Sequence, residues 1–138
     1  MNLPGIKKIY SIEAASLPEQ IEDKSVAGLE IVINSGLQEI QFFGDATCSF
    51  KQDYDNNEQV EEVELKFSTV DKVNTDTPLG FVVVDVNGKT YLIGTKEAPY
   101  PVIKQERDSN EPSGSSAIWN VDVKHIGLKA ISFCVINT

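Results

Sequence analysis

Phe81-Val82-Val83-Val84-Asp85-Val86 is apolar at five of six positions and is followed directly by Asn87-Gly88. A β-strand sends alternate side chains to opposite faces. Phe81, Val83 and Asp85 then share one face, and Val82, Val84 and Val86 share the other. Both faces are mostly apolar, whereas an antiparallel sheet ordinarily leaves one face to water. Something must cover the second face: a short helix, an opposing sheet with a loop, or another subunit. Asn-Gly is the signature of a two-residue type I′ turn, because both positions take φ > 0. It predicts a hairpin of 80–86 with 89–94.

The chain then reaches Pro99-Tyr100-Pro101. In an extended strand, residues i and i+2 direct their N–H groups to the same side, and proline has none. The segment therefore marks an edge, a bulge or a strand crossing between sheets. Proline commonly blunts edges against open-ended pairing. A doubly apolar strand beside a blocked edge suggests association through side chains and loops, with strand edges closed. The competing reading is a self-contained monomer whose short helix covers the outer face.

Other segments share the period of two. Ala46, Cys48 and Phe50 lie on one face of 46–54, answered by Val63, Leu65 and Phe67 in 60–70, with an Asn/Asp-rich tip between them. Strands are also predicted over 5–15, 29–34, 37–43, 117–123 and 127–136, and 98–105 continues as an extended segment. Ser16, Pro18 and Glu19 carry helix-start chemistry and predict one short helix near residues 16–23. Residues 106–116 are rich in Ser, Gly and Pro and read as a mobile loop. Short turns and no strand–helix alternation give a mainly β fold. The expectation is a single domain over 1–138, an antiparallel β-sandwich or partly open β-barrel of about nine strands with that one helix.

Composition narrows the partners. With 41% hydrophobic and 24% charged residues the chain is ordinary for a globular protein. No run approaches a membrane span, and the first residues lack the apolar core of a signal peptide, so neither a membrane nor secretion is expected. The net charge is −9. Binding to nucleic acid would want a basic stripe and is disfavoured. Residues 45–65 hold seven acidic residues against Lys51 alone, six of the nine excess negative charges. Such a hairpin keeps copies apart and favours a basic partner surface, or is simply solvated. Cys48 and Cys134 read as buried thiols acting as small hydrophobes.

No catalytic motif emerges. Asp53, Asp55, Asn57, Glu61 and Glu64 fall at positions 1, 3, 5, 9 and 12 of a calcium loop, but Glu58 stands where Gly is needed and the flanks alternate as strands. Calcium is disfavoured and no cofactor is expected. His125, the one histidine, reads as a strand-end residue; Ser132 and Cys134 lie near it in sequence without a nucleophile elbow. Glu62 and Glu64 are outward carboxylates with no marked cleft. Trp119, Tyr91, Tyr100 and Tyr54 read as core aromatics, or alternatively as a platform for a carbohydrate or other small ligand.

"LPGIKKIYSIEAASLP", "ATCSFKQDYDNNEQVEEVELKFST", "FVVVDVNGKTYLIGTKEAPYPVI" and "AIWNVDVKHIGLKAI" resemble, in the same order, an uncharacterised family encoded by phages and prophages of Bacteroides-type gut bacteria. The most specific piece is 84–102. The resemblance carries over no catalytic residue. It implies the company of virion-morphogenesis proteins of the neck and tail, which are compact β-rich subunits. The expected function is then a non-enzymatic structural or assembly protein that self-associates or docks with other virion proteins. Its expected place is the bacterial host cytoplasm during assembly, with the virion as an alternative. The alternative function is a β-sandwich binding module for a carbohydrate or small ligand. Expected partner contacts are Val82 and Val84, the tip residues Asp53, Asp55 and Asn57, the Pro99-Tyr100-Pro101 segment, and Asp108 and Asn110 of the 106–116 loop.

Overall fold

The structure, a computed structural model, describes residues 5–17, 31–33, 36–55, 58–70, 73, 75–96, 100–108, 118–127 and 131–136. Among these, eleven strands and one 3-10 turn are present. The strands are β1 (Ile6–Glu13), β2 (Val32–Ile33), β3 (Gln38–Ile40), β4 (Phe42–Asp55), β5 (Glu58–Thr69) and β6 (Leu79–Asp85), followed by β7 (Thr90–Ile93), β8 (Val102–Asp108), β9 (Ile118–Gly127), β10 (Ile131–Phe133) and β11 (Val135–Ile136). They form a four-stranded sheet in the order β4-β5-β9-β8, a five-stranded sheet in the order β10-β7-β6-β1-β3, and a two-stranded β11-β2 pair. Among the described residues no sheet closes on itself, and the arrangement is the expected mainly β sandwich.

Two expected strands break. Residues 37–43 divide at Gln41, where the chain leaves the five-stranded sheet for the four-stranded one. Residues 127–136 divide at Cys134, whose N–H donates to the Thr90 carbonyl before β11 pairs parallel with β2. Every other strand pair is antiparallel.

The apolar alternation read in the sequence builds the core between the two large sheets. Cys48, Val63, Leu65, Phe67, Val121 and Val123 come from one sheet; Ile9, Phe81, Val83 and Ile93 come from the other. Phe67 and Phe81 meet across the interface with ring centroids 6.5 Å apart and planes tilted by 58°. Offset or tilted contact is the geometry that aromatic quadrupoles favour.

The second apolar face of β6 is covered by the chain itself. Val82 is fully buried in a second core with Ile12, Leu17, Ile31, Ile33, Leu92 and Cys134. The five-stranded sheet is thus the middle of three layers, with the β2–β11 pair outside it. This corrects the expectation that Val82 is a partner contact: it has no accessible surface to offer. Val84 is half-buried. The expected helix at 16–23 lies largely outside the described residues. Ser16 closes the 3-10 turn Ala14–Ser16, and Leu17 is extended at φ −78°, as suits a residue before proline.

The β6–β7 hairpin is present, but its turn is not the expected two-residue type. The Asp85 N–H donates to the Lys89 carbonyl at 3.0 Å, so Val86, Asn87 and Gly88 form a three-residue loop. The Gly88 N–H donates to the Asp85 carbonyl at 3.0 Å, and Gly88 takes φ +85°. That is a tight turn followed by a left-handed residue, the usual three-residue connection. Asp85 is the reason. Its Oδ1 accepts from the N–H groups of Asn87 and Lys89, both at 2.9 Å, and so holds the longer loop. Its Oδ2 accepts from the Tyr91 hydroxyl at 3.4 Å. Burial, and then the neighbouring Asp85 carboxylate, raise the Tyr91 pKa.

Pro101 lies in the crossing from β7, in the five-stranded sheet, to β8, in the four-stranded one. Of the three readings of the proline segment, sheet-to-sheet crossing is the one observed. Gly94, at φ +115°, makes the crossing possible. A Cβ there would stand 3.2 Å from both the Gly80 Cα and the Pro101 Cγ. Cys48 and Cys134 are buried free thiols in different cores on opposite sides of the middle sheet. Burial pushes each up to about 12.

Candidate interaction surface

The outer face of the four-stranded sheet carries a lattice of alternating charge. Its register sets Lys51 opposite Glu62, Glu64 opposite Lys124, and Asp122 between Lys66 on β5 and Lys104 on β8. Lys51 Nζ lies 3.4 Å from Glu62 Oε2. Glu64 takes Lys124 Nζ at 3.4 Å and Lys66 Nζ at 3.7 Å. Ser68 Oγ donates to Asn120 Oδ1 at 2.9 Å. Exposed pairs of this kind contribute about 0–1 kcal/mol each. Their larger effect is to hold the charge pattern of this face in place.

Two open depressions lie along this face. One, of about 370 Å³, is lined by residues including Lys66, Ser68, Lys104, Glu106, Asn120 and Asp122. The other, of about 410 Å³, is lined by Ser49, Phe50, Lys51, Glu62, Glu64 and Lys124. Between them, the Glu64 and Asp122 carboxyls lie where a hydrogen bond can join them once one carries a proton. Burial, then the Glu64 charge and that hydrogen bond, raise the Asp122 pKa. Burial also acts on Glu64, but the bond from Asp122 and the lysines Lys66 and Lys124 bring its pKa down. Asp122 is therefore the carboxyl that keeps the proton longer.

A carboxyl whose folded pKa is raised contributes its stability below the unfolded value, about 3.9 for Asp, and loses it as pH rises through the folded value. At neutral pH Asp122 is a cost. Asp122→Asn, which keeps a donor for Glu64, should raise the thermal midpoint at pH 7 by a few degrees. The gain should shrink to nothing as pH falls to about 4 and below. Scanning calorimetry of both proteins across pH checks this; a gain that persists unchanged in acid would refute the shared-proton account.

An apolar corner adjoins the lattice. Val102 on β8 is 59% exposed and Ile126 on β9 is 53% exposed. Val102 pairs with Lys124, so Ile126 is its diagonal neighbour on the same face. Tyr100, 37% exposed, precedes Val102 and lines a separate depression of about 310 Å³ with Thr75, Asp76, Thr77, Pro78 and Ile103.

The sequence-predicted contacts are dispersed. Tyr100 is exposed and Pro101 is buried. Asp53 and Asp55 lie in β4, paired antiparallel with Val60 and Glu58 of β5. That ladder places the calcium-like pattern on a hairpin backbone, without the helices of a calcium loop. Asp108 ends β8, so residues 106–108 belong to a strand and not to the expected loop. Asn57, Pro99 and Asn110 lie outside the described residues. His125 is not at a strand end but within β9, opposite Val63 and 4% exposed. Sequence reasoning missed the Glu64–Asp122 contact and the Val102–Ile126 corner. The outward placement of Glu64 was readable; its β9 neighbour, 58 positions away, was not.

Among the described residues no helix is long and apolar enough to cross a membrane. No protein family, curated protein or solved structure matches this chain.

Proposed function

We propose that this chain is a non-enzymatic assembly subunit that self-associates, of the phage or prophage kind implied by the sequence resemblance. The observation that supports it best is the exposed Val102–Ile126 corner, set on a charge-patterned sheet face beside a sheet edge. Exposed apolar residues grouped on a polar face mark interaction surfaces more often than isolated ones do. The two depressions on that face are open, and His125 is buried beneath the sheet. The covered outer face of β6 withdraws one argument for association, so the reading rests on the four-stranded sheet. Light scattering after size exclusion, from micromolar to millimolar protein, tests it. The expected result is a mass that rises above 15.2 kDa with concentration. A strict monomer throughout would overturn self-association.

A second reading has its own support. Tyr100 offers an exposed aromatic face beside Thr75, Asp76 and Thr77, a combination suited to stacking on a sugar ring and bonding its hydroxyls. Glycan-array binding abolished by Tyr100→Ala would favour it.

A further inference from the structure

We infer that β8 is a self-pairing edge, along which two copies of this chain join antiparallel about a two-fold axis at Gln105. The inference rests on the self-association reading and names its partner and register.

β8 ends the four-stranded sheet. It runs for seven residues and pairs with β9 without a register shift. Pro101 precedes it and no proline interrupts it. On its other side, no backbone hydrogen bond to a described residue is present. The remaining edges suit pairing less well. β3 and β10 have three residues each. β4 is shifted in register between Phe43 and Thr47, and it belongs to the hairpin that concentrates the acidic charge. Two such hairpins brought side by side repel.

The register follows from charge. Side chains must continue on the same face of the joined sheet, so the outward residues Val102, Lys104 and Glu106 can only oppose one another's kind. An axis at Lys104 or at Glu106 sets like charges face to face. An axis at Gln105 sets Lys104 of each copy opposite Glu106 of the other, giving two equivalent cross-strand pairs. Both side chains are exposed and available. The Gln105 side chain is already engaged inside its own chain. Its Oε1 accepts from the Val73 N–H at 2.9 Å and its Nε2 donates to the Val73 carbonyl at 3.0 Å. Val73 in turn packs against the inter-sheet core. That clamp closes the core beneath β8 and leaves the backbone edge to the partner.

Charge exchange tests the register. Light scattering across the same concentrations, at low salt, compares wild type, Glu106→Lys, Lys104→Glu and the double exchange. Glu106→Lys is the cleaner single variant, because Glu106 faces Asn120 in its own sheet whereas Lys104 faces Asp122. Circular dichroism checks that each protein is folded. Each single change should weaken the dimer roughly tenfold or more, and the double exchange should return it to within about threefold of wild type. A mixture of Lys104→Cys and Glu106→Cys proteins should form a mixed disulfide dimer on oxidation. An oligomer equally strong in all four proteins would overturn edge pairing while leaving self-association in place. A wild type that stays monomeric would overturn both.

Discussion

Val82→Asp should leave the chain unfolded. Val82 has no exposed surface and sits between Tyr10 on β1 and Leu92 on β7, facing the outer core. A carboxylate there meets Ile12, Leu17, Ile31 and Ile33, none of which can bond it. Burying an unpaired charge costs about 5 kcal/mol or more, against a total stability of about 5–15 kcal/mol for a domain. The expected result is loss of the β signal in circular dichroism and loss of a cooperative thermal transition. Val84→Asp is the control. Val84 is half-buried and pairs with the exposed Lys8, so the new carboxylate finds water and a cation. That variant should fold with a loss of about 1–2 kcal/mol. If Val82→Asp melts like wild type, the three-layer arrangement is wrong.

Asp85→Ala should produce the next largest loss, about 2–4 kcal/mol by chemical denaturation. The carboxylate is fully buried and serves two backbone N–H groups and the Tyr91 hydroxyl. Removing it strands donors that are costly to leave unpaired. Asp85→Asn keeps the Oδ1 acceptor for both N–H groups and should recover most of the stability. Equal losses in the two variants would show that the turn bonds are not what Asp85 supplies.

The local geometry and the two hairpin pairings, β4 with β5 and β6 with β7, were legible in the sequence, and the longer-range neighbours of the strands were not. Alternation in 46–54 and 60–70 identified the inward faces of β4 and β5, because a period of two is a property of one strand. The doubly apolar run correctly marked β6 as a covered strand. What covered it was out of reach, since Ile33 and Cys134 arrive from opposite ends of the sequence. The Asn-Gly pair signalled a hairpin, but the loop length was decided by Asp85, a side chain two residues earlier in the chain. Glu64 and Asp122 look like ordinary surface acids until the β5–β9 register brings them together. The proline segment was read as a choice among edge, bulge and crossing; only the sheet assignments of β7 and β8 select one.

The β2–β11 pair has a consequence for how the chain is made. Val32 and Ile33 wait for partners about a hundred residues downstream, a separation that makes their pairing slow and late. All five strands of the middle sheet precede β11 in the chain, and β11 pairs outside that sheet. Until it pairs, Val82, Leu92 and Ile12 lack part of their cover, and the nascent protein carries a sticky flank. β11 acts as a latch, and a chain in which it has not yet paired with β2 is the species most prone to aggregate.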